Sequence, residues 1–83
     1  MKKLTYTQLE EIINRHDPLG LIGAGAPINE YEPEINDLLR RRNNRSSSLN
    51  WNIIQTVFEL WFYPGCISKE TAQEIEKDIQ VLF

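Results

Sequence analysis

Five side chains between His16 and Glu34 have types that could do chemistry together: the imidazole of His16 and the carboxyls of Asp17, Glu30, Glu32 and Glu34. Gathered in one place, they would suit a divalent metal or an acid–base pair. Their spacing matches neither the alternating ligands of an EF-hand loop nor the i, i+4 histidines of H-E-x-x-H. Helix capping accounts for Glu32 and Glu34, and a turn accounts for Asp17, without a metal. Acid–base work by paired carboxylates would need an apolar pocket to push their pKa values apart, and the sequence marks none.

Gly20, Gly23 and Gly25 in GLIGAG suggest a phosphate loop. Their order, G-x-x-G-x-G, is the reverse of the dinucleotide fingerprint; no strand pattern precedes them and no Lys-Ser/Thr pair follows. Acids on both sides would repel phosphate, so the expectation is that the glycines serve turns that need positive φ. His16 and Cys66, a nucleophile pair by type, are separated by fifty positions, and Cys66 reads as a small buried thiol. Arg40, Arg41, Arg42 and Arg45 could grip phosphate, but at a helix end they serve more simply to offset the dipole. No catalytic residue, cofactor site or metal site is expected, and nucleic acid is not the expected partner.

The elements that must position these residues follow from the apolar spacing. Thr7 and Glu10 form a capping-box pattern that predicts the start of helix one, with Leu9, Ile12 and Ile13 on one face and Asp17-Pro18 ending it near Arg15. Pro33 predicts the first residue of helix two, with Glu32 as cap, Ile35, Leu38 and Leu39 as its stripe, Arg40 to Arg42 in its last turn and Asn43-Asn44 at its exit. Ser46, Ser47 and Ser48 offer a cap for helix three, predicted from Leu49 to about Phe62.

Leu49, Ile53, Val57, Leu60 and Trp61 give helix three one broad apolar face, widened by Trp51, Ile54, Phe58 and Phe62. Only Asn50, Asn52, Gln55 and Glu59 form a polar strip, so this helix is expected at the centre, covered by several neighbours. Tyr63-Pro64-Gly65 breaks it. Ser68 caps helix four, with Ile67 and Ala72 as a hydrophobic staple, Ile75, Ile79 and Leu82 as its stripe, and Glu74, Lys77 and Asp78 in water. The expected fold is all-α: a compact bundle of about four helices, one domain over residues 1–83, with an ordered Gly/Pro-rich loop between helices one and two.

Composition agrees with a folded domain, since 41% of the residues are hydrophobic and 25% charged. The one cysteine cannot form an internal disulfide, no apolar run follows the basic start, and no stretch could span a membrane, so a cytoplasmic setting is expected. Charge is unevenly placed. Residues 1–39 carry three basic and seven acidic side chains, 40–48 carry four arginines and no acid, and 49–83 carry two basic and five acidic. The net charge of −3 with a single basic cluster favours a basic protein partner.

One resemblance rests on the loop. His16-Asp17-Pro18-Leu19-Gly20-Leu21, Gly25-Ala26-Pro27 and Asn29-Glu30-Tyr31-Glu32-Pro33-Glu34-Ile35 resemble the D-P-x-G-L … G-A-P-x-D-E-Y-D-x-E-I signature of the YugE-like small helical proteins of bacteria. It covers about the first half of the chain and departs at Asn29 and Glu32, where that family tends to have aspartate. The resemblance implies an all-helical fold and a structured loop, and supplies no catalytic residue.

The expected function is a non-catalytic interaction module, most specifically an immunity-type protein that neutralises a bacterial toxin, such as a nuclease of a contact-dependent inhibition system. Small size, acidic balance and an acid-rich turn motivate it, because a nuclease's basic cleft attracts an acidic protein. The expected contacts are Asp17, Glu30, Glu32 and Glu34, with Tyr31 and Trp51 as aromatic anchors. The alternative is a small regulatory protein that binds a metal ion or nucleic acid through the loop or the arginines.

Overall fold

The structure, a computed structural model, describes residues 4–45 and 49–82. Four helices account for the regular structure among them: α1 (Tyr6–His16), α2 (Glu32–Arg45), α3 (Trp51–Trp61) and α4 (Lys69–Val81). The all-α four-helix bundle expected from the apolar spacing is what the chain forms.

Three of the helix starts share one device. Thr5, Asn50 and Ser68 are N-caps whose side chains accept the amides of Gln8, Ile53 and Thr71, and Gln8 returns a bond to the Thr5 amide to complete a capping box. Each cap follows a buried aliphatic residue, Leu4, Leu49 or Ile67, and each helix places a second buried residue five positions later, at Leu9, Ile54 or Ala72. This is the spacing of a hydrophobic staple, and it sets where each helix begins. It explains why α1 starts from Thr5 and not from Thr7: only Thr5 follows a residue that the core buries. It likewise makes Asn50 the cap of α3. The serine cap expected at 46–48 lies outside the described residues.

α2 begins one residue earlier than Pro33 and continues through Asn43 and Asn44 to Arg45. The Ile35 amide bonds to the Tyr31 carbonyl at 2.9 Å, so Tyr31 closes the first turn. Pro33 still lies in that turn, where its missing N–H leaves no bond unmade.

The helices pack as a ring. α1 contacts α2 and α4, α3 contacts α2 and α4, and the diagonal pairs do not meet. α3 is therefore not the central helix. Its inward face (Ile54, Val57 and Phe58) is buried in one core shared with Leu9, Ile12 and Ile13 of α1, Ile35 and Leu38 of α2, and Ala72, Ile75 and Ile79 of α4. With only two helical neighbours it leaves apolar surface uncovered, and Leu60 and Trp61 are 68% and 49% exposed.

Candidate functional site

Asp17 organises the loop between α1 and α2. It caps the C-terminus of α1 in the left-handed region at φ +46°, with its amide on the Ile13 carbonyl at 2.7 Å. That backbone turn points its carboxylate into the following loop. Oδ1 accepts from the Ile22 amide at 3.0 Å and from the Tyr31 hydroxyl at 2.6 Å, while Oδ2 accepts from the Gly23 amide at 2.9 Å. The Tyr31 hydroxyl in turn accepts from the amides of Leu19 and Leu21, at 3.2 and 3.4 Å. GLIGAG is thus an amide nest, of the kind that holds phosphate elsewhere, filled by a carboxylate of its own chain.

The electrostatics follow from the bonding. Burial opposes charge on Asp17, but the Tyr31 hydroxyl and the amides of Gly23, Ile22 and Leu21 outweigh it and hold the carboxyl below its ordinary range. Burial and the neighbouring Asp17 push the Tyr31 hydroxyl up to about 12. The Tyr31 ring is fully buried and meets Phe58 and Phe62 edge-on, with centroids 6.0 and 6.5 Å away. At the far end of the loop, the Asn14 side-chain amide donates to the Ile28 carbonyl at 2.8 Å. The loop is pinned to α1 and packed on α3.

The expected contact residues therefore separate into two groups. Tyr31 and Glu34 are buried, and Asp17 is spent on the loop, so none of the three is presented as a surface contact. Glu30 and Glu32 are exposed, beside an Ile28 that is 70% exposed. Glu34 stands behind them, 3% exposed, and its Oε1 finds no hydrogen-bond partner among the described residues. Burial first, and the charge of Glu30 second, push this carboxyl up to about 7. On α1, the Tyr6 hydroxyl is pushed up by burial and then by Glu10 and Glu32. Glu10 of α1 and Glu32 of α2 thus act on one group, and only tertiary packing brings them to it.

The remaining candidates are engaged elsewhere. His16 faces α4, with Nε2 2.6 Å from Asp78 Oδ2 and Nδ1 4.0 Å from Glu74, and Arg15 reaches the same Asp78 oxygen at 3.2 Å. Asp78 is accordingly not a freely solvated residue: the bond from His16, then the charges of His16 and Arg15, hold its carboxyl low against partial burial. Cys66 is half-buried against the core and is not a partner of that histidine. Among the described residues no group of three or more His, Cys, Asp or Glu is placed to share a metal ion.

Asp37 collects part of the arginine cluster. It is 8% exposed and accepts from Arg41 Nε and Trp61 Nε1, each at 2.9 Å, with Arg40 at 3.6 Å. Burial opposes its charge, and Trp61, Arg41 and Arg40 together hold it below the ordinary carboxylate range. Arg40 and Arg41 thus neutralise a buried acid rather than close the last turn of a helix. Trp51 is half-buried with Lys69 Nζ 5.0 Å above its ring, while Trp61, read from the sequence as part of the buried apolar face, is 49% exposed and Tyr63 beyond it 59%. A cleft of about 110 Å³ lies between α1 and α4, lined by Gln8, Glu11, Ile12, Arg15, Asp78 and Leu82. It is well below the roughly 300 Å³ at which ordinary ligand pockets begin. No described helix is long and apolar enough to cross a membrane.

No protein-family model matches the chain, and comparison with characterised proteins and with solved structures finds no significant match.

Proposed function

We propose that this chain is a non-catalytic interaction module whose acidic edge docks a basic protein, and that its role is that of a cytoplasmic immunity-type protein occluding the basic cleft of a bacterial toxin, such as a nuclease. The observation that carries this reading is the pair of exposed acids, Glu30 and Glu32, at the start of α2. The charge of Glu30 reaches the buried Glu34 carboxyl, and Glu32 acts together with Glu10 of α1 on the Tyr6 hydroxyl, so this edge carries a negative field. A cation brought by a partner relieves that field, which favours association and speeds encounter. The Asp17–Tyr31 bond network holds the backbone beneath it, so little ordering is lost on docking. Kinship with the YugE-like helical proteins, read from the same loop, is part of the proposal.

The alternative, a regulator that binds a metal ion or nucleic acid through the loop or the arginines, has less support. The loop amides are occupied by Asp17, and Arg40 and Arg41 by Asp37.

The test is the double reversal Glu30→Lys, Glu32→Lys, compared with the unchanged chain as bait in extracts of the source cell. The unchanged chain is expected to retain a protein of basic isoelectric point. The reversal, with its helical circular dichroism intact, is expected to slow association with that protein by about tenfold or more at low salt. Retention that ignores the reversal, or a retained partner that is acidic, sinks the reading.

A further inference from the structure

The outer face of α2 carries a charge pattern that the bundle leaves facing outward. Glu32, Asn36 and Arg40 recur at i, i+4 and i+8 and are all exposed, while Glu34, Ile35, Asp37 and Leu38 are buried. The three form one row about 12 Å long, with an acid at one end, a neutral amide in the middle and a base at the other. Rows of this i, i+4 kind are the ridges along which helices most often pack. The basic end keeps its charge. Asp37 sets one carboxylate against two guanidiniums, and Arg41 takes the 2.9 Å bond, leaving Arg40 at 3.6 Å with its side chain 64% exposed. Apolar surface lies beside the middle of the row. Trp61 of α3 donates to Asp37, the residue next to Asn36, yet stays half-exposed, and Leu60 before it is exposed. The hydrogen bond fixes the indole, so an aromatic anchor of the kind that dominates interfaces is ordered before anything covers it.

We propose that this face pairs with a second copy of the chain, α2 against α2 and antiparallel, about a two-fold axis through Asn36. A row that ends in opposite charges complements its own reverse. With the axis at Asn36, Glu32 of each copy lies opposite the partner subunit's Arg40, each four residues from the centre. The same axis brings together the two Trp61 edges, each level with Asn36, so that Leu60 and Trp61 of both copies form the apolar centre and the ion pairs flank it. A parallel arrangement would set acid against acid and base against base, so charge selects the antiparallel one. The contact is isologous and closes at two copies. Glu32 also belongs to the acidic edge, so a basic protein bound there competes with the second copy; the pairing itself needs only this chain.

The test is sedimentation velocity on the full chain across concentration, with the emission of Trp61 followed in a Trp51→Phe background. A dimer is expected to form below about 1 mM, and the emission should move to shorter wavelength as it forms. Glu32→Arg alone and Arg40→Glu alone each place two like-charge pairs in the interface and should weaken it by about tenfold or more. Mixed one to one, the two variants carry opposite charges at every pair and should associate again, as unlike copies. Asn36→Lys, which sets two ammoniums on the axis, and Leu60→Ser alter exposed positions and should weaken the dimer with the helical circular dichroism intact. A chain that stays monomeric at about 1 mM overturns the proposal, also where an unrelated protein covers Trp61 instead, and leaves the basic-partner reading standing. A dimer unmoved by Asn36→Lys and Leu60→Ser uses another face and overturns it equally. Failure of the mixture to associate, while each variant keeps its helical circular dichroism, overturns the antiparallel register.

Discussion

The hydroxyl of Tyr31 donates to Asp17 Oδ1 at 2.6 Å while accepting the amides of Leu19 and Leu21, so two side chains fourteen residues apart satisfy the backbone of the loop that joins them. Tyr31 is the only tyrosine among the fully buried side chains, and its ring is fixed by Phe58 and Phe62. The loop therefore inherits its rigidity from the core of α3. Tyr31→Phe keeps the ring contacts and strips the bonds, leaving two amides short of an acceptor and Asp17 Oδ1 with the Ile22 amide alone. The expected cost is about 1–3 kcal/mol of unfolding free energy, measured in urea. Amide hydrogen exchange at Leu19 and Leu21 should accelerate more than at Ile12 or Ile75. Unchanged loop exchange would remove the network from the account.

Protonation should shape stability in two opposite ways. Asp17, Asp37 and Asp78 are all held below their ordinary value of 3.8, so their contribution is present above that value and is lost as pH falls toward their folded-state values. Glu34 is raised from 4.5 to about 7, so its contribution is fully present below 4.5 and is lost as pH rises through about 7. Urea unfolding across pH should show greatest stability between about pH 4 and pH 6. Glu34→Gln should flatten the decline between 4.5 and 7 and leave the acid limb in place.

Gly25 and Gly23 should respond differently to alanine. Gly25 sits at φ +101° with open space around its Cβ position, so Gly25→Ala is strained by its backbone alone, at a cost of about 1–3 kcal/mol. Gly23 carries no positive φ, and a Cβ there would meet Asp17 Oδ2 at 3.3 Å. The carboxylate must give by a few tenths of an ångström, so Gly23→Ala should cost less and show itself in the Asp17–Gly23 hydrogen bond. Thermal melts of the two variants decide the order, and a larger loss at Gly23 would contradict it.

Asp37 ties Trp61 to Arg41 across α2 and α3, which are sequential neighbours in the ring. Asp37→Ala leaves an indole N–H and a guanidinium without their acceptor, and is expected to cost about 1–3 kcal/mol. Asp37→Asn restores an acceptor for the indole and should recover part of it. In a Trp51→Phe background the fluorescence of Trp61 reports the bond directly. Emission unchanged by Asp37→Ala would show that the indole is not held there.

Local pattern was sufficient for the helices. Aliphatic residues at helical spacing, a polar cap and a buried residue before each cap are short-range features, readable in Leu4-Thr5, Leu49-Asn50 and Ile67-Ser68 once the five-residue staple is recognised. Ser68 was legible at once. Thr5 was not, because Thr7-Glu10 satisfies the same four-residue rule, and the choice between them depends on whether Leu4 is buried.

The roles of the polar residues were a different matter. Asp17 and Tyr31 read as surface contacts because each is polar or amphipathic in a loop, yet a single left-handed residue turns the Asp17 carboxylate inward to meet the Tyr31 hydroxyl. Trp61 read as core because it shares the apolar side of α3, but a ring of four helices gives that helix two neighbours and leaves the indole half outside.

The sequence by itself determined four helices, their approximate limits, the acidic balance and a loop whose glycines serve the backbone. These depend on interactions within a few residues, where spacing is a direct measure of geometry. Only the tertiary structure decided which acids are bonded, which are exposed and which one is buried with an oxygen left unbonded. Those states depend on what approaches from other helices, and the distance between Glu10 and Glu32 along the chain carries no record of their meeting around Tyr6.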